Sequence, residues 1–340
     1  MAVLLLTSSA TVHDTVVPLC AAAGVEASVC RDPVLALATW GTADLVLVGD
    51  DVAPALADLG PARRDGVHVV GVDPPDAAFR AAVRLGAGSV VDLAAGTVAV
   101  VGLLSDLGEQ GPPGRVVGVV GGAGGSGSTT LACALAQSYA ARGPSLLVDA
   151  DPIGPGLDRL VGMEDVPGVR WEALADTDGR LGARELREGV PRRGQLGVLT
   201  WSGLRRRLDL PTVRRVLPSA ARGHALVVLD LARQSPGLGE LADRCDDLLV
   251  VTPATVPGLA ATARLVADLG RRDCAGLVVR PGGLSDADAE QVTGLPVVAV
   301  LGDQRGVAAA VDRGHGPLTA RGPLARAARE LLGRRIADAA

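Results

Sequence analysis

A glycine-rich loop at residues 121–130, with the sequence GGAGGSGSTT, carries the clearest chemical signal of the chain. It follows the apolar run 116–120 and precedes the helix-forming run 131–143. Backbone N–H groups in such a loop and at the start of the following helix bind phosphate. An ATP-binding P-loop has the pattern G-x-x-x-x-G-K-[ST]. Here Ser128 stands at the lysine position, and Thr129 stands where a hydroxyl binds Mg²⁺.

The loss of the loop lysine predicts altered chemistry. The chain contains no lysine, and its 33 Lys+Arg residues are all arginine, which is typical of a genome rich in G and C. Such drift would place arginine at position 128, not serine. A charged hydrogen bond to phosphate contributes about 1.5–3 kcal/mol, whereas a cation that stabilises the transition state of phosphoryl transfer is worth about 10³–10⁵ in rate. Weak nucleotide binding can therefore survive, but we expect hydrolysis to be lost unless Arg233 or an arginine of a partner replaces the lysine.

Three aspartates follow apolar strands behind this loop. Asp149 and Asp151 end the run SLLVDAD, and Asp230 follows the apolar run 225–229. A hydrophobic strand that ends in Asp near a P-loop is the Walker B arrangement, in which the carboxylate holds the water shell of Mg²⁺. We therefore predict a metal site formed by Thr129, Asp149 and Asp230, and a catalytic role for Asp151. The predicted nucleotide-binding residues are Gly122, Gly124, Gly125, Gly127, Ser128, Thr129 and Thr130.

Each of these features also has a simpler interpretation. A tight turn between a strand and a helix uses glycines without binding a ligand, and an aspartate at the end of a strand is more often a helix cap. The loop has more glycines than a turn needs, and the three aspartates follow it in order. Together they favour a phosphate-binding site.

The elements that must position these residues are predicted from apolar runs and helical periodicity. Strands alternate with helices through the second half of the chain, which predicts one doubly wound parallel sheet with its ligand crevice at the carboxyl ends of the strands. The predicted strands are 116–120, 145–149, 196–200, 225–230, 247–252, 275–280 and 296–301. The main predicted helices are 128–142, 211–221, 257–271 and 323–336.

The first half predicts a smaller parallel sheet, covered by helices on both faces. The predicted strands are 3–6, 45–48, 68–72 and 89–93, and the predicted helices are 12–23, 33–39 and 77–85. Their spacing resembles that of a response-regulator receiver domain. The predicted fold class is therefore α/β, with a receiver-like (flavodoxin-like) domain and a P-loop NTPase-like domain. The predicted boundaries are 1–107 for the first domain, 108–115 for a turn-rich linker and 116–340 for the second domain.

The receiver-like half lacks the residues for phosphorylation. A working receiver has an acidic pair after the first strand, an aspartate at the end of the third strand and a lysine after the fifth. Thr7 and Ser8 replace the acidic pair, and Gly49 replaces the phosphoacceptor. We attribute the nearby Asp50 and Asp51 to solvation of a loop. The first half is therefore predicted to be a pseudo-receiver that acts in docking or dimerisation.

Composition disfavours several classes of protein. The 340 residues suffice for two domains, and a content of 48% hydrophobic and 21% charged residues is typical of a globular protein. The net charge of −5 disfavours a general nucleic-acid binder. The five cysteines lack the spacing of metal ligands. The first residues lack the positive segment of a signal peptide and no run reaches the length of a membrane span, so we expect a cytoplasmic protein.

Five motifs resemble those of the MinD/ParA-type deviant Walker ATPases. They are GGAGGSGSTT, LLVDADPIGPGLDRLVG, LVVLDLAR, LLVVTPATVPGLAATARL and GLPVVAVLGDQRGVAAAVDRG. With the pseudo-receiver in front, the whole chain is similar to the CpaE/TadZ branch of that family. Within the branch it is similar to the actinobacterial CpaE-like group that includes septum-site-determining proteins (Ssd).

The resemblance implies roles for four of the residues already named. Thr129 corresponds to the Mg²⁺-binding hydroxyl, and Asp230 corresponds to the Walker B aspartate. Asp149 and Asp151 correspond to the acidic pair of switch I.

At other positions the chain departs from the family pattern. The family's two lysines correspond to Ala123 and Ser128, and its adenine-contacting asparagine is absent from the segment that holds Val279 and Arg280. The proline and glycine of switch II are replaced as well, by Leu231, Ala232 and Arg233. These joint departures weigh against hydrolysis more than against the fold.

The function implied by the resemblance is that of a positioning protein with weak or absent ATPase activity, whose cofactors ATP and Mg²⁺ bind weakly or not at all. It would act as a homodimer recruited to a pole, to the septum or to the inner face of the membrane. Its partner would be a polar or septal landmark or a protein of a pilus or secretion machinery. The implied process is placement of a Tad/Flp pilus or secretion apparatus, or regulation of septum placement in cell division. An active ATP-dependent dimerisation switch and a ParA-like DNA-binding partitioning factor are the alternatives, of which the acidic balance disfavours the second.

Two further segments bear on DNA and membrane binding. The basic stretch Arg192–Arg215, with Arg205–Arg207 at its centre, would suit DNA or anionic lipid, but a solvated helix face is favoured. The C-terminal run places Leu324, Ala328, Leu331 and Leu332 on one helix face. Since that run lacks aromatic anchors, we expect the last helix to pack on the sheet instead of binding a membrane.

Overall fold

The computed structural model describes residues 2–108, 113–176, 181–203, 208–235, 237–270, 273–319 and 321–333. The chain forms two compact units, Met1–Gln110 and Gly111–Ala340. Each unit contains its own sheet covered by helices, which confirms the predicted α/β class. In the part of the chain that is described, no helix is long and apolar enough to cross a membrane.

The first unit alternates strands with helices. Its strands are β1 (Ala2–Leu6), β2 (Glu26–Cys30), β3 (Leu45–Gly49), β4 (Val67–Gly71) and β5 (Ser89–Asp92). Its helices are α1 (Ala10–Ala22), α2 (Pro33–Trp40), α3 (Ala53–Leu59), α4 (Asp76–Leu85) and α5 (Val98–Gly108). The strands form a parallel sheet in the order β2-β1-β3-β4-β5, with apolar clusters on both faces. Burial on both faces explains why β3 is a continuous apolar run and why β4 departs from one only at the buried His68.

Three elements of this unit are not predicted by the sequence pattern. The edge strand β2 has the sequence EASVC and is largely exposed, so it lacks the apolar run of a central strand. Helix α3 has no side-chain cap to mark its start. Helix α5 begins with a continuous apolar run, VAVVGLL, which periodicity alone cannot distinguish from a strand.

The second unit contains the glycine-rich loop between β6 and α6. Its strands are β6 (Arg115–Gly121), β7 (Ser145–Ala150), β8 (Arg192–Arg193), β9 (Leu196–Leu199), β10 (Leu226–Leu231), β11 (Asp247–Pro253), β12 (Ala275–Arg280) and β13 (Val297–Val300). Its longer helices are α6 (Ser128–Tyr139), α10 (Leu210–Gly223), α12 (Val256–Leu269), α13 (Asp286–Thr293) and α15 (Pro323–Leu331). Its shorter helices are α7 (Leu157–Leu160), α8 (Trp171–Ala175), α9 (Ala183–Gly189), α11 (Leu238–Ala242) and α14 (Val307–Asp312).

The strand order of the second unit is β13-β12-β11-β6-β10-β7-β9-β8. All neighbours are parallel except β8 and β9, which form a short antiparallel hairpin at one edge. The sheet is therefore doubly wound as predicted, with an antiparallel edge that the sequence pattern does not predict. The two strands that flank β6 are β10 and β11, so the carboxyl ends of β6, β10 and β7 lie next to one another.

Local sequence sets the ends of helices beside these strands. The Asp209 carboxylate accepts from the Thr212 N–H at 3.0 Å and caps α10, and the Thr255 hydroxyl caps α12. Helix α6 ends at Tyr139, three residues before the predicted end, since the next turn bonds back to the Tyr139 carbonyl.

The last helix packs on the sheet as expected. Leu324, Ala328 and Leu331 of α15 are all buried in the apolar cluster beneath α6. The end of the predicted helix 323–336 beyond residue 333, and the predicted basic group Arg205–Arg207, lie outside the described residues.

Candidate functional site

The glycine-rich loop is fixed to the sheet on one side. The Gly122 N–H donates to the carbonyl of Val251 in β11 at 2.9 Å. A Cβ atom on Gly122 would lie 2.1 Å from Oγ1 of Thr262 in α12, so glycine is required between the loop and that helix. Gly125 and Gly127 have φ angles of 68° and 90°, which side chains rarely adopt. The backbone thus makes a tight turn through glycines at positive φ, and α6 begins directly after it.

Two serine hydroxyls point towards Gly121, the last residue of β6. A Cβ atom on Gly121 would lie 2.8 Å from Ser126 Oγ and 3.1 Å from Ser128 Oγ. Ser126 is buried, and its hydroxyl has no hydrogen-bond partner within the described residues. Ser128 therefore places a short, neutral hydroxyl against the end of the strand and supplies no positive charge to the loop.

A cation reaches the loop from another strand. Arg280 ends β12, and its guanidinium donates to the Gly125 carbonyl at 3.3 Å. The same guanidinium forms an ion pair with Asp303 at 2.5 Å. The sequence pattern marks Arg280 only as a departure at the adenine-contact segment and gives it no role at the loop. No local signal could have shown this contact, because its two residues are 155 positions apart.

A cavity of about 380 Å³ opens beside Arg280. Gly127 and Thr130, both predicted nucleotide-binding residues, line it from the loop and from α6. Arg280 and Leu301 line it from the ends of β12 and β13. The cavity therefore offers apolar and charged surface directly next to the start of α6.

Asp149 and Asp230 lie side by side at the carboxyl ends of β7 and β10. They are partners in the register of these parallel strands and are 1% and 5% exposed. Burial is the main cause that raises the pKa of Asp149 to about 6 and the pKa of Asp230 to about 7. The Thr129 hydroxyl donates to the Asp230 carboxylate and lowers its pKa, while the charges of Asp149 and Asp151 raise it further. The structure thus brings the three predicted metal ligands, Thr129, Asp149 and Asp230, to one place.

Hydrogen bonds of the protein already engage Asp149. Its Oδ2 accepts from the Thr200 hydroxyl at 2.7 Å and from the Leu157 N–H at 3.2 Å. Its Oδ1 accepts from the Asp151 N–H at 3.1 Å. These bonds hold the segment after β7 in place and leave Asp149 with about one of its four carboxylate lone pairs. Asp149 thus has a structural role that the sequence pattern does not predict.

Asp151 lies further out, at an open cavity of about 840 Å³. Its Oδ1 accepts from the Ile153 N–H at 3.1 Å. Gly124 of the loop and Arg233, which follows β10, line the same cavity. The predicted catalytic aspartate and Arg233, the arginine named as a substitute for the lysine if hydrolysis is retained, therefore face one space beside the loop.

These residues fit a nucleotide phosphate and Mg²⁺ only in part. The backbone turn and the start of α6 favour an anion, and the hydroxyl and carboxylate of Thr129 and Asp230 are oxygen donors that suit Mg²⁺. Among the residues that the structure describes, no group of three or more His, Cys, Asp or Glu side chains is arranged to hold a metal ion. Since position 128 also lacks a cation, the site fits binding of an anion better than phosphoryl transfer.

In the receiver-like unit, the protein's own side chains occupy the space where a phosphoacceptor would lie. The Thr7 hydroxyl donates to Asp51 Oδ1 at 2.8 Å, and the Ser8 N–H donates to Asp51 Oδ2 at 2.7 Å. A Cβ atom on Gly49 would lie 2.1 Å from Asp51 Oδ1. Asp51 therefore fills the space of a phosphoacceptor and ties β3 to β1, which corrects the expectation that it only solvates a loop. Burial, followed by the charge of Asp51, raises the pKa of Asp50.

The fold and these two sites define a class of protein in which a receiver-like domain without phosphorylation residues precedes a P-loop NTPase-like domain with a neutral residue at the lysine position. Residues 6–115 match the family model described as the Rv3660c-like, CheY-like N-terminal domain. Over 307 residues the chain is 36% identical to the protein Rv3660c of Mycobacterium tuberculosis (strain ATCC 25618 / H37Rv), with 87% of this chain and 86% of that protein covered. The protein MT3760 of strain CDC 1551 / Oshkosh matches equally, with 36% identity over 307 residues. The chain belongs to the Rv3660c-like family.

Solved structures confirm the predicted P-loop NTPase-like fold. A ParA family ATPase from Chlorobium tepidum TLS has a TM-score of 0.54 at 15% identity, covering 65% of this chain and 98% of that one. The MinC:MinD cell division protein complex of Aquifex aeolicus gives a TM-score of 0.53 at 21% identity, with 65% and 96% covered. The septum site-determining protein MinD of Pyrococcus horikoshii OT3, complexed with Mg-ADP, gives 0.51 at 18% identity, with 64% and 93% covered. These structures confirm the MinD/ParA-type fold that the sequence motifs predict for the P-loop NTPase-like domain.

Proposed function

We propose that this protein is a MinD/ParA-like positioning protein that binds nucleotide weakly and hydrolyses it very slowly or not at all. One observation carries the proposal: the loop turns through Gly125 and Gly127 at positive φ directly before α6, while the Ser128 hydroxyl at the lysine position points to Gly121. The backbone N–H groups of such a turn favour a phosphate. Stabilising the transition state of phosphoryl transfer requires a cation that position 128 does not provide.

ATP and Mg²⁺ are the ligands of this proposal. The phosphates would contact Gly124, Gly125 and Gly127 and the first turn of α6, formed by Ser128, Thr129 and Thr130. Thr129 and Asp230 would hold the metal ion, because their hydroxyl and carboxylate are already in contact. Asp149 would support them from the neighbouring strand, and Asp151 would face the terminal phosphate from the open cavity.

The structural neighbours support a positioning role. Two of them are MinD proteins, one described as septum site-determining and one in complex with MinC. The resemblance to the CpaE/TadZ branch and to its Ssd group leads to the finer proposal. The protein would place a Tad/Flp pilus or secretion apparatus, or regulate septum placement in cell division.

Two surfaces serve the partners in this proposal. Ile153 is 90% exposed at the rim of the cavity that holds Asp151, where it would contact a second copy of the chain in a homodimer. On α4 of the pseudo-receiver, Phe79 and Val83 are 50% and 74% exposed. Exposed apolar side chains of this size suit a protein partner, and we assign them to the polar or septal landmark or pilus protein. Recruitment by such a partner would bring the protein to the pole, the septum or the inner face of the membrane.

Titration calorimetry of Mg²⁺-ATP into the full-length protein tests the nucleotide part. We expect binding in the micromolar to millimolar range, weakened by Thr129→Val, with turnover close to the background of the buffer. Thr11→Val, at an exposed threonine of α1 in the first unit, is a matched control for the loss of a hydroxyl. Absence of binding at millimolar ATP would overturn the nucleotide part and leave a protein that acts through its surfaces.

The positioning part is tested in cells. A fluorescent fusion expressed at native level should form foci at poles or septa, and a Phe79→Asp/Val83→Asp variant should become diffuse. Deletion of the gene should displace septa or abolish pili, and which of the two changes decides between the two processes. A fusion that is diffuse in the wild-type cell contradicts the proposal.

An active ATPase is the second candidate, because Arg233 and Asp151 line one cavity with Gly124. In this candidate Arg233 supplies the charge that the loop lacks. It predicts a measurable rate of ATP hydrolysis that both Arg233→Ala and Asp230→Ala abolish. A rate indistinguishable from background, with and without a stimulating partner, excludes it.

A further inference from the structure

We infer that Arg280 is the cation of the phosphate-binding loop, and that Asp303 restrains it until an anion binds. The inference rests on the proposed function, because the anion is a phosphate group of a nucleoside di- or triphosphate held by that loop. The inference assigns a phosphate contact to a residue of β12, whereas the loop motif alone would place these contacts in the loop and at the start of α6. Three observations support it: the contact of Arg280 with the loop, the ion pair that holds it there, and the cavity that both residues line.

The first observation is the direct contact with the loop. Arg280 is the last residue of β12 and pairs in register with Pro253 of β11, so its backbone is fixed at the carboxyl end of the sheet. Its guanidinium donates to the Gly125 carbonyl at 3.3 Å. Gly125 is the glycine with a φ of 68° in the middle of the loop. A full positive charge is therefore held against the backbone that would surround a phosphate.

The second observation is the partner that this cation would exchange. The ion pair between Arg280 and Asp303 is solvent-accessible, with side chains 35% and 83% exposed. An accessible pair of this kind shifts an equilibrium by about fivefold at most. A guanidinium that donates two parallel bonds to a phosphate forms a stronger contact. Exchange of Asp303 for a phosphate oxygen is thus favourable.

The third observation is the space around the ion pair. Arg280 and Asp303 line the cavity of about 380 Å³ together with Gly127 and Thr130. Arg305 lines the same cavity, whereas Ser128 does not. An anion that enters this space meets Arg280 and the start of α6 at once. The chain therefore has the means to bind phosphate with the charge supplied from outside the loop.

This arrangement predicts effects of opposite sign for the two partners of the ion pair. Arg280→Gln removes the cation and should weaken binding of Mg²⁺-ADP about tenfold. Asp303→Asn frees the cation and should strengthen binding about two- to fivefold. Arg280→Lys keeps the charge without the planar fork and should fall between wild type and Arg280→Gln.

The experiment is calorimetric titration of the full-length protein with Mg²⁺-ADP and, separately, with pyrophosphate. Arg313→Gln and Asp312→Asn are matched controls, since both residues are exposed and lie at the far end of α14. Thermal unfolding of every variant verifies that the fold is intact. Pyrophosphate must respond to Arg280→Gln as Mg²⁺-ADP does, because the inferred contact is with phosphate and not with the base.

Two results overturn the inference and differ in what they say about the proposed function. If wild type binds Mg²⁺-ADP and Arg280→Gln binds equally well, or Asp303→Asn binds more weakly, Arg280 is not the cation and the nucleotide site stands without it. If neither wild type nor Asp303→Asn binds either ligand at millimolar concentration, both the inference and the nucleotide part of the proposed function fail.

Discussion

Asp149 and Asp230 are partners across the parallel ladder of β7 and β10, and both carboxyl groups are buried. Two buried carboxyl groups in this position repel each other when both are charged. The Thr129 hydroxyl donates to one of them, and the Thr200 hydroxyl donates to the other. The pair is therefore a place where protonation, or a bound cation, changes the stability of the second unit.

Stability should fall as pH rises through the range in which this pair titrates. Burial raises the pKa of Asp230 to about 7 and that of Asp149 to about 6, whereas an unfolded aspartate titrates near 3.9. Between about pH 4 and pH 7 the folded state therefore binds more protons than the unfolded state. The stabilising contribution is fully present below about pH 4 and is lost as pH rises through 6 and 7.

Asp230→Asn tests this expectation, because it removes one of the two charges and keeps an acceptor for Thr129. Between pH 5 and pH 8, urea unfolding should show a decline in the free energy of unfolding that is smaller by about 2 kcal/mol in the variant than in wild type. The exposed Asp312→Asn should leave the slope unchanged. Equal slopes in wild type and Asp230→Asn would contradict the raised pKa.

Gly122→Ala should destabilise the second unit by about 1–3 kcal/mol, through overpacking against α12. Its Cβ atom would lie 2.1 Å from Thr262 Oγ1, and the Thr262 side chain is held by hydrogen bonds to Thr252 and to the Gly258 carbonyl. Gly124→Ala in the same loop meets no atom within 4 Å and should change stability by less than about 0.5 kcal/mol. Urea unfolding measures both changes.

A double-mutant cycle shows whether Thr262 is the cause. Combined with Thr262→Ala, the cost of Gly122→Ala should shrink by at least half, because Oγ1 and Cγ2 are removed from the crowded position. Strictly additive costs would show that the strain of Gly122→Ala arises elsewhere in the loop.

Gly49→Asp should fail to restore a phosphoacceptor in the receiver-like unit. Its Cβ atom would lie 2.1 Å from Asp51 Oδ1 and 2.5 Å from Thr7 Oγ1, so the new side chain has no space. We expect the variant to lose about 2 kcal/mol of stability in this unit, by hydrogen exchange of β1 and β3, and to stay unmodified by acetyl phosphate. Adding Asp51→Ala should recover part of the stability. Phosphorylation of the Gly49→Asp chain, detected by intact-mass spectrometry, would show that position 49 does have space for a phosphoacceptor side chain.

Arg170→Met should destabilise the segment that follows Asp149 by about 3 kcal/mol. The Arg170 side chain pairs with Asp158 at 3.1 Å, and the two side chains are 16% and 9% exposed. Removal of one partner leaves a buried charge unpaired, so the Asp158→Asn/Arg170→Met double variant should cost less than the sum of the single variants. Arg184→Met removes the exposed pair with Glu188 and should change the free energy of unfolding by less than about 0.5 kcal/mol in the same urea titration.

Much of the fold can be predicted because its signals are local. Buried parallel strands are short apolar runs, and the helices between them begin at residues such as Asp209 and Thr255, whose side chains cap them. The edge strand β2 is missed because it is exposed and therefore lacks the apolar run of a buried strand. Helix α5 is missed because its continuous apolar run hides the helical periodicity. The place of the glycine-rich loop between β6 and α6 is also a local property, fixed by glycines that permit φ angles of 68° and 90°.

The sequence by itself determined the alternation of buried strands with helices, the position of the loop and the absence of lysine from the whole chain, including position 128. Only the tertiary structure decided which side chains meet around that loop. Arg280 reaches Gly125 across 155 residues, and Thr200 reaches Asp149 across 51. Such contacts depend on the order of strands in the sheet and on the packing of the segments that follow them. Local periodicity reflects the burial and hydrogen bonding of neighbouring residues, and it contains no information about partners brought together by the topology of the sheet.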